Sequence, residues 1–282
     1  MDLVAFQGEV GAYSEEAVRR LLPAAVPRAC PSFEAVFEAV STGAVTRGLV
    51  PIENSLFGSV HINYDLLMEH DLWIAGETQL RIRHHLMAKA GSTLPGIRRV
   101  YSHPQALGQC RAYLRAHLPQ AEAIPAYDTA GAAQMVQQLP DPDVAAIASV
   151  QAAHEYGLTV LAAGIETNQQ NYTRFLLLVQ EPDTAVPGLA SAEAGGSCKT
   201  SIVYTLQRNV PGGLFKSLAV FALREIDLFK IESRPLIGEP GQYRFYLDLD
   251  GAAHTEPVQR ALTHLQELTD QFKLLGSYPA GS

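Results

Sequence analysis

The sequence has no long hydrophobic run, and nowhere do about 18 uncharged apolar residues follow one another. The N-terminal stretch MDLVAFQGEVGAYSEE also lacks the basic start and the apolar segment of a signal peptide. These absences argue against a membrane-spanning or secreted protein. We therefore expect a cytoplasmic protein without a membrane partner.

Cysteine is scarce as well. Only Cys30, Cys110 and Cys198 occur, far apart and without a CxxC pair, which indicates neither a disulfide framework nor a cysteine zinc site. We interpret the three cysteines as packing residues. There is no HExxH pattern, and the adjacent His84 and His85 would face opposite ways on a predicted strand. The sequence therefore predicts no metal site.

Positive charge is sparse. The formal net charge is −8, and no basic cluster is longer than Arg98-Arg99. Proteins that bind nucleic acid normally carry a basic stripe, so we expect no nucleic-acid partner. The phosphate loop GxxxxGKS/T, the dinucleotide fingerprint GxGxxG and the nucleophile motif GxSxG are also missing. A small anion can still bind, because helix N-termini act locally whatever the net charge.

What is present is an ordinary globular composition, with 47% apolar and 18% charged residues in 282. The stretch 181–198 is rich in Pro, Gly, Ala and Ser and has no sustained periodicity, which is typical of a linker. We therefore predict a first part at 1–180 and a second part at 199–282.

The first part alternates short apolar runs with helical patterns, which predicts an α/β sheet. Its predicted strands are Leu3–Phe6, Arg47–Val50, Gln79–Lys89, Arg98–Tyr101 and Val144–Ala148, and its predicted helices are Ser14–Leu22, Phe33–Ser41, Gln105–His117 and Thr129–Leu139. The second part is predicted as strand Thr200–Gln207, helix Gly213–Leu223, strands Asp227–Glu232 and Gln242–Leu249, helix Glu256–Thr269 and strand Phe272–Tyr278. That βαββαβ order is ferredoxin-like.

Polar residues follow several strands of the first part, among them Gln7, Glu53, Ser102 and Ser149. In open α/β sheets, ligands bind outside the carboxyl ends of the strands, where helix N-termini present free N–H groups. The first part therefore predicts a ligand cleft. Ser14, at the start of a helix, offers a hydroxyl suited to a carboxylate ligand.

Individual residues leave alternatives open. In NYTRFLLLV, alternation places Asn171 and Thr173 on one face and Tyr172 and Arg174 on the other, yet Thr173 could simply favour a strand and Arg174 could be a surface charge. Ser102 can act as an N-cap. His103 could be structural or catalytic, and Glu53 could belong to a turn or serve as a cleft carboxylate.

Taken together in this order, the motifs resemble prephenate dehydratase. They are Gly11-Ala12-Tyr13-Ser14-Glu15, Pro51-Ile52-Glu53-Asn54-Ser55, Tyr101-Ser102-His103-Pro104-Gln105-Ala106, Ala148-Ser149 and Asn171-Tyr172-Thr173-Arg174-Phe175. The second part, with Gly212-Gly213-Leu214 and Glu232-Ser233-Arg234-Pro235, resembles the regulatory ACT domain of that family. Gly213 stands where the family usually has alanine.

The resemblance implies two α/β lobes similar to type 2 periplasmic binding proteins, with the active site between the lobes, and a phenylalanine-binding C-terminal domain. It implies conversion of prephenate to phenylpyruvate, CO2 and water in phenylalanine biosynthesis, without a cofactor. Thr173 would be the key catalytic residue, and Glu53 or His103 would support it. The expected substrate-binding residues are Ser14, Asn54, Ser55, Ser102, Gln105, Ser149, Asn171, Arg174 and Phe175. The expected effector site comprises Gly212, Gly213, Leu214, Glu232, Ser233, Arg234 and Pro235.

Two other functions remain open at this point. Arogenate dehydratase carries out the same elimination on the transaminated substrate. A noncatalytic amino-acid sensor, built from a two-lobed binding protein and a sensing domain, would have a similar organisation. The effector motifs resemble a site at a subunit interface, so we expect a homodimer or a homotetramer.

Overall fold

The structure is a computed structural model and describes residues 2–182, 197–207, 210–236 and 238–281. These residues form two compact units. The first comprises Met1–Asn63 and Thr78–Phe175, and the second comprises Tyr64–Glu77 and Leu176–Ser282. Most of the predicted linker at 181–198 lies outside the described residues, which stop at 182 and resume at 197. The division into 1–180 and 199–282 stays a prediction.

Between residues 3 and 179, strands and helices form the mixed α/β pattern that the sequence predicts. The elements are β1 (Leu3–Gln7), α1 (Tyr13–Leu21), β2 (Val26–Cys30), α2 (Phe33–Ser41), β3 (Arg47–Asn54), β4 (Gly58–Ser59), α3 (His61–Glu69), β5 (Trp73–Arg81), β6 (His85–Ala88), a 3-10 turn (Leu94–Gly96), β7 (Arg99–Ser102), α4 (Pro104–Gln109), α5 (Arg111–His117), β8 (Glu122–Pro125), α6 (Thr129–Gln138), β9 (Val144–Ala148), α7 (Val150–Glu155), β10 (Thr159–Ala162) and β11 (Tyr172–Val179). Of these, β2, β4, α3, β8, α7 and β10 were not predicted.

Two predicted elements are wrong because each is divided in the structure. The strand predicted at 79–89 is β5 followed by β6, since the backbone N–H of His84 donates to the Glu166 carboxylate and not to a neighbouring strand. The helix predicted at 105–117 is α4 followed by α5, with a break at Cys110. The edge strand β2 was missed because Pro27 cannot donate to a ladder, which makes the run unlike a strand.

These strands form two sheets, one for each of two lobes. The first has the order β2-β1-β3-β11-β5, with β4 paired to β3, and the second has the order β10-β6-β9-β7-β8. Strand β1 is parallel to both β2 and β3, and β7 is parallel to both β8 and β9. Central strands such as β9 are buried along their whole length, which explains their continuous apolar runs. The predicted two-lobed α/β architecture is confirmed.

The C-terminal elements are β12 (Cys198–Leu206), α8 (Gly213–Ala222), β13 (Leu228–Pro235), β14 (Tyr243–Asp250), α9 (Glu256–Gln266) and β15 (Thr269–Pro279). They form a four-stranded sheet with the order β13-β14-β12-β15, whose neighbouring strands are antiparallel. Apolar residues of the sheet and of both helices, including Ile202, Phe221, Leu247 and Leu265, form a common core. This is the predicted ferredoxin-like βαββαβ fold.

The segment Tyr64–Glu77 packs within this second unit. The Tyr246 hydroxyl donates to the Tyr64 carbonyl at 2.7 Å, and the Lys273 ammonium donates to the His70 carbonyl at 2.7 Å, just beyond the end of α3. A cation at this place stabilises the negative end of a helix.

The three cysteines are free and buried, as expected for packing residues. Among the described residues, no helix is long and apolar enough to cross a membrane.

Candidate active site

A cleft of about 510 Å³ lies within the first unit. It is formed by the ends of β1, β3 and β7, the starts of α1, α4 and α6, and the start of β11. The carboxyl ends of strands therefore face the cleft, as predicted. The lining residues are Gln7, Gly8, Ala12, Tyr13, Ser14, Phe33, Pro51, Asn54, Phe57, Gly58, Ser59, Val60, Ile82, His84, His103, Gln105, Ala106, Gln109, Tyr127, Asp128, Thr129, Asn171, Thr173 and Phe175.

Asn54 and Thr173 meet in this cleft because β3 and β11 are neighbours in the sheet. Asn54 Nδ2 donates to Thr173 Oγ1 at 2.9 Å and to Asn171 Oδ1 at 2.8 Å. Asn171 and Thr173 lie on the same face of the chain, which confirms the alternation expected from the sequence. Both are buried.

Hydrogen bonds from the backbone determine the direction in which these groups donate. Asn54 Oδ1 accepts from the N–H groups of Leu56 and Phe57 at 3.0 and 3.2 Å. The amide nitrogen of Asn54 must therefore point toward Thr173 and Asn171, and it is a donor to both. The Thr173 oxygen accepts, which leaves the proton of the Thr173 hydroxyl free to point elsewhere.

The same chain of hydrogen bonds continues to His84. Asn171 Nδ2 donates to Gln109 Oε1 at 2.9 Å, and His84 Nε2 contacts that same oxygen. On the other side of the imidazole, His84 Nδ1 lies 2.9 Å from the Tyr13 hydroxyl. One network of hydrogen bonds thus links six side chains, those of Thr173, Asn54, Asn171, Gln109, His84 and Tyr13.

Burial changes the acid–base behaviour of three of the lining groups. It lowers the pKa of His84, although the hydrogen bond with Gln109 and the charge of Glu166 oppose the shift. It also lowers the pKa of His103, against the attraction of Asp128, and raises the pKa of Tyr13 well above its usual value. Both histidine pKa shifts favour the neutral imidazole.

The charge of the lining is unusual for a site that would hold an anion. Among the described residues around the cleft there is no Lys or Arg, and the carboxylate is that of Asp128. Asp128 Oδ1 accepts from the Gly131 N–H at 2.6 Å and so caps the start of α6. At the start of α1, the cap residue Ala12 supplies no side-chain acceptor. An anion in the cleft would therefore depend on neutral hydrogen-bond donors.

Seven of the residues expected in the site line this cleft. They are Thr173, His103, Ser14, Asn54, Gln105, Asn171 and Phe175. Five others do not line it: Glu53, Ser55, Ser102, Ser149 and Arg174.

Their positions explain the difference. Neighbouring residues on a strand face opposite ways, so Glu53 and Arg174 point away from Asn54 and Thr173. The Ser55 hydroxyl donates to the Gln170 carbonyl at 2.6 Å. The Ser149 hydroxyl donates to the Gly11 carbonyl at 2.6 Å and caps α7 by accepting from the Ala152 N–H.

The interpretation of Ser102 as an N-cap is wrong. Ser102 is the last residue of β7, and its fully buried hydroxyl donates to the Ile147 carbonyl of β9 at 2.6 Å. The cap of α4 is His103, whose Nδ1 accepts from the Gln105 N–H at 3.3 Å. The sequence did not indicate His103 as the cap, because Ser is a more common N-cap residue than His.

The lining residues that were not predicted as site residues include Tyr13, His84, Gln109 and Asp128. Tyr13 belongs to the motif Gly11-Ala12-Tyr13-Ser14-Glu15, whose pattern indicates only the start of a helix. The adjacent His84 and His85 have no metal-ligand spacing, and the sequence carries no signal that one of them faces a cleft. Gln109 and Asp128 carry no local pattern that distinguishes them from ordinary polar residues of a helix.

A second pocket of about 280 Å³ lies in the second unit. Gly212, Gly213 and Leu214, at the start of α8, line it together with Tyr243 and Phe245 of β14. Gly212 has a φ of +80°, a left-handed conformation that glycine adopts without strain.

The other expected effector residues, Glu232, Ser233, Arg234 and Pro235, end the edge strand β13 and do not line this pocket. Ser233 lies opposite Phe245 in the ladder. Arg234 Nη2 donates to Asp65 Oδ2 of α3 at 2.7 Å. Arg234 is therefore tied to the segment Tyr64–Glu77 of its own unit.

Across residues 2–182, 197–207, 210–236 and 238–281, no three His, Cys, Asp or Glu side chains form a group that could hold a metal ion.

Comparison with known proteins gives one consistent family. The family model described as Prephenate dehydratase matches residues 4–183. Arogenate dehydratase/prephenate dehydratase 2, chloroplastic, of Arabidopsis thaliana is 46% identical over 285 residues, covering 98% of this chain and 72% of that protein.

Solved structures agree in fold. Prephenate dehydratase from Arthrobacter aurescens in complex with L-Phe has a TM-score of 0.88 at 34% identity, over 98% of this chain and 89% of that one. A structure described as GqqA, a novel type of quorum quenching acylase, has a TM-score of 0.88 at 33% identity, over 99% and 98% of the two chains. The family match and the dehydratase relatives together show that this chain belongs to the prephenate dehydratase family.

Proposed function

We propose that the protein converts prephenate to phenylpyruvate, CO2 and water, with Thr173 as the proton donor. The observation that carries this proposal is the hydrogen bond from Asn54 Nδ2 to Thr173 Oγ1. Because the threonine oxygen accepts, its own proton is available to a ligand in the cleft. The direction of donation follows from the backbone N–H groups that hold Asn54 Oδ1.

The proposed reaction is an elimination that aromatises the ring. The bond from the ring to its carboxylate breaks and releases CO2, and the electron pair enters the ring. The bond to the ring hydroxyl breaks at the opposite position, and that oxygen takes the proton of Thr173 and leaves as water. Solvent then returns one proton to Thr173, so that prephenate dianion plus one proton gives phenylpyruvate anion, CO2 and water.

Threonine is a weak acid, and the site compensates for this in two ways. The leaving oxygen becomes strongly basic as the carbon–oxygen bond breaks, which favours proton transfer late in the reaction. The alkoxide that forms on Thr173 keeps the hydrogen bond from Asn54, and that bond strengthens as charge develops. No cofactor takes part in this proposal.

Neutral donors would hold the carboxylates of the substrate. Ser14 and Gln105 line the cleft at the starts of helices. Asn171 accepts a hydrogen bond from Asn54 and so helps to fix the orientation of the Asn54 side chain. His103 lines the same cleft. A site whose described lining has no Lys or Arg suits this reaction, because a cation bound to the ring carboxylate would hinder its departure as neutral CO2.

Arogenate is the second candidate substrate, and Asp128 is the observation that favours it. Arogenate carries an ammonium group where prephenate has a keto group, and the carboxylate of Asp128 lines the cleft. An ammonium beside Asp128 would form a charge-assisted hydrogen bond. The Arabidopsis relative has both dehydratases in its name, so the family alone does not choose between them.

An acylase is not favoured by the geometry. An acyl-transfer nucleophile needs a neighbouring base that takes its proton. The group that contacts the Thr173 hydroxyl is an amide donor, which leaves the threonine poised to give a proton to a ligand.

We further propose that L-phenylalanine inhibits the enzyme by binding to the second unit of a homodimer or homotetramer. Gly212, Gly213 and Leu214 line a pocket there, and the Arthrobacter aurescens relative was solved with L-Phe. The pocket has apolar and aromatic walls, including Leu206 and Phe245, which suit a phenyl ring.

The testing experiment measures phenylpyruvate formation from prephenate and phenylalanine formation from arogenate, each with and without L-phenylalanine. A kcat/KM higher for prephenate is expected, with inhibition by L-phenylalanine. Turnover of neither substrate above the rate without protein would contradict the dehydratase and favour the noncatalytic sensor.

Asp128→Asn separates the two substrates, because asparagine keeps the helix cap and removes the charge. If arogenate binds through Asp128, this variant lowers kcat/KM for arogenate by about tenfold or more and leaves the value for prephenate unchanged or higher. Equal effects on both substrates would remove the argument for arogenate.

A further inference from the structure

His84 is a buried imidazole that the proposed proton transfer does not use. Its ring lies between Gln109 and Tyr13, and its exposed fraction is 3%. The backbone of His84 is held on both sides, because its N–H donates to Glu166 Oε2 at 2.9 Å and its carbonyl accepts from the Ile165 N–H at 2.9 Å. The ring therefore occupies a well-defined place in the wall of the cleft.

The position of the proton on His84 follows from its neighbours. Asn54 Oδ1 is held by backbone donors, so Asn54 donates to Asn171, and Asn171 in turn donates to Gln109 Oε1. The atom that His84 Nε2 contacts is thus an oxygen, and Nε2 must carry a hydrogen. On the far side of the ring, the Tyr13 hydroxyl lies 2.9 Å from Nδ1 and donates to the Arg83 carbonyl at 2.6 Å, so its one proton is not committed to Nδ1. The contact with Gln109 therefore carries the assignment of the hydrogen to Nε2.

Asn171 Nδ2 and His84 Nε2 therefore both donate to the side-chain oxygen Oε1 of Gln109. The side-chain nitrogen Nε2 of Gln109 takes no part in these two bonds. Gln109 lines the cleft, and the described residues provide no hydrogen-bond partner for its Nε2. Both hydrogens of that nitrogen are available to a ligand. In a cleft whose described lining has no Lys or Arg, such an oriented NH2 group is a suitable donor to a carboxylate.

We propose that His84 is a positioning residue that holds the Gln109 carboxamide with its NH2 group toward a carboxylate of the substrate. This inference rests on the proposed function, in which the ligand is a dicarboxylate such as prephenate. Without the Nε2–H donor, Gln109 could rotate and present its oxygen to the ligand, which would repel a carboxylate. His84 acts through Gln109 and does not exchange a proton with the substrate.

The variants that test the proposal separate positioning from acid–base chemistry. His84→Gln keeps an N–H donor near the place of Nε2 but cannot titrate, whereas His84→Leu removes the donor. Gln109→Leu removes the group that His84 positions. His85→Gln is the matched control, because the adjacent His85 lies in β6 and outside the cleft lining.

The expected kinetics follow from the loss of one hydrogen bond to a charged group. His84→Leu and Gln109→Leu should each lower kcat/KM for the preferred substrate by about 30-fold, mainly through a higher KM. His84→Gln should recover most of this loss and keep the shape of the wild-type pH profile. When His84→Leu is added to the Gln109→Leu variant, kcat/KM should fall by less than about threefold further. The two residues act as one unit, so the second change has little left to remove.

Two kinetic outcomes would overturn the proposal. Additive losses in the double variant would mean that His84 supports the fold and does not act through Gln109. A His84→Gln variant as impaired as His84→Leu, with a changed pH profile, would make His84 an acid or base. His85→Gln should stay within about threefold of the wild type, which confirms that losses at position 84 are specific.

A measurement without turnover keeps this inference distinct from the proposed function. In the full-length protein labelled with nitrogen-15, the His84 resonances, assigned by their loss in His84→Gln, should show the Nε2–H tautomer at pH 7.5. An Nδ1–H tautomer would overturn the inference even if prephenate is turned over. Conversely, the wild type could be inactive while His84 shows the Nε2–H tautomer and its signal changes in Gln109→Leu. That result would contradict the proposed reaction but not the positioning of Gln109 by His84.

Discussion

Thr173 shows how a residue with an ordinary local role acquires chemistry from its neighbours. Its place at the start of β11 agrees with a simple preference for strands. Its hydroxyl becomes a directed donor only because Asn54, from a different strand, supplies a hydrogen to its oxygen. The proposed proton donor thus depends on two strands together.

Replacing Thr173 tests this role directly. Thr173→Ala should lower kcat by about 10²- to 10⁴-fold, because the departing hydroxyl loses its proton donor, while KM changes by less than about threefold. Thr173→Ser keeps the hydroxyl and should retain activity within about tenfold of the wild type. Steady-state kinetics with prephenate provide the measurement. An alanine variant with nearly the wild-type kcat would rule out Thr173 as the donor.

The lowered pKa of His84 leads us to expect that the free energy of unfolding depends on pH. Burial lowers its pKa in the folded protein, so the unfolded chain takes up a proton first as the pH falls below the usual pKa of about 6.5. The contribution of His84 to the free energy of unfolding is fully present above that pH and is lost as the pH falls toward the lowered pKa.

Urea unfolding of the wild type and of His84→Gln at pH 7.5 and 5.5 measures this contribution. The wild type should lose more stability than the variant, by up to about 1.4 kcal/mol for one histidine. A smaller loss in the wild type would mean that the folded protein binds the proton more tightly than the unfolded chain does.

At the scale of elements, the site depends on how helices and strands end. Glu15 reaches back from the first turn of α1, where its Oε2 accepts from the Gly11 N–H at 2.6 Å, and Arg19 binds its other oxygen. Gly11 has a φ of +89°, and a Cβ there would lie 2.8 Å from Ala152 Cα. Glycine is therefore required where the turn before α1 approaches α7.

Ser149 joins the same two elements. Ser149→Ala removes the bond to the Gly11 carbonyl and the cap of α7, and should lower the free energy of unfolding by about 1–3 kcal/mol. Because Ser149 does not line the cleft, KM and kcat should stay within about threefold of the wild type.

The matched control is Ser32→Ala, which removes the side-chain cap of α2 and should lower the free energy of unfolding by about 1 kcal/mol. A Ser149→Ala variant of normal stability with a KM raised about tenfold would instead support the predicted contact of Ser149 with the substrate.

Element by element, the sequence predicted periodic structure well and its ends poorly. β9 was located correctly because all five residues are apolar and buried. The edge strand β2 and the division of 79–89 were not predicted, because they depend on Pro27 at an edge and on a bond from His84 to Glu166, far away in the chain.

At the scale of the whole molecule, one segment of the chain relates the cleft to the second unit. Gly58 and Ser59 line the cleft, and α3 begins two residues later at His61. Within the second unit, Asp65 of this helix pairs with Arg234 of the expected effector motif. We expect that a change at Arg234 affects the cleft through the chain that leads into α3.

Asp65→Asn tests this coupling. The variant should keep kcat/KM without effector within about threefold of the wild type, and should raise the concentration of L-phenylalanine needed for half inhibition by about fivefold or more. Asp71→Asn is the control on the same segment, because Asp71 is almost fully exposed and lies 3.9 Å from Lys273. Equal inhibition of all three proteins would exclude a role for the Asp65–Arg234 pair.

The sequence by itself determined most of the central strands and longer helices and indicated the family, because apolar periodicities and ordered motifs are local properties of the chain. It identified Thr173, Asn171, Asn54, Ser14, Gln105 and His103, which the structure brings into one cleft. Only the tertiary structure decided which groups face that cleft and which way they donate. Glu53 and Arg174 lie beside lining residues but turn away, whereas His84 and Gln109 join the site through hydrogen bonds to residues distant in the chain. The direction of a hydrogen bond is a property of a pair of groups, so no single stretch of sequence contains it.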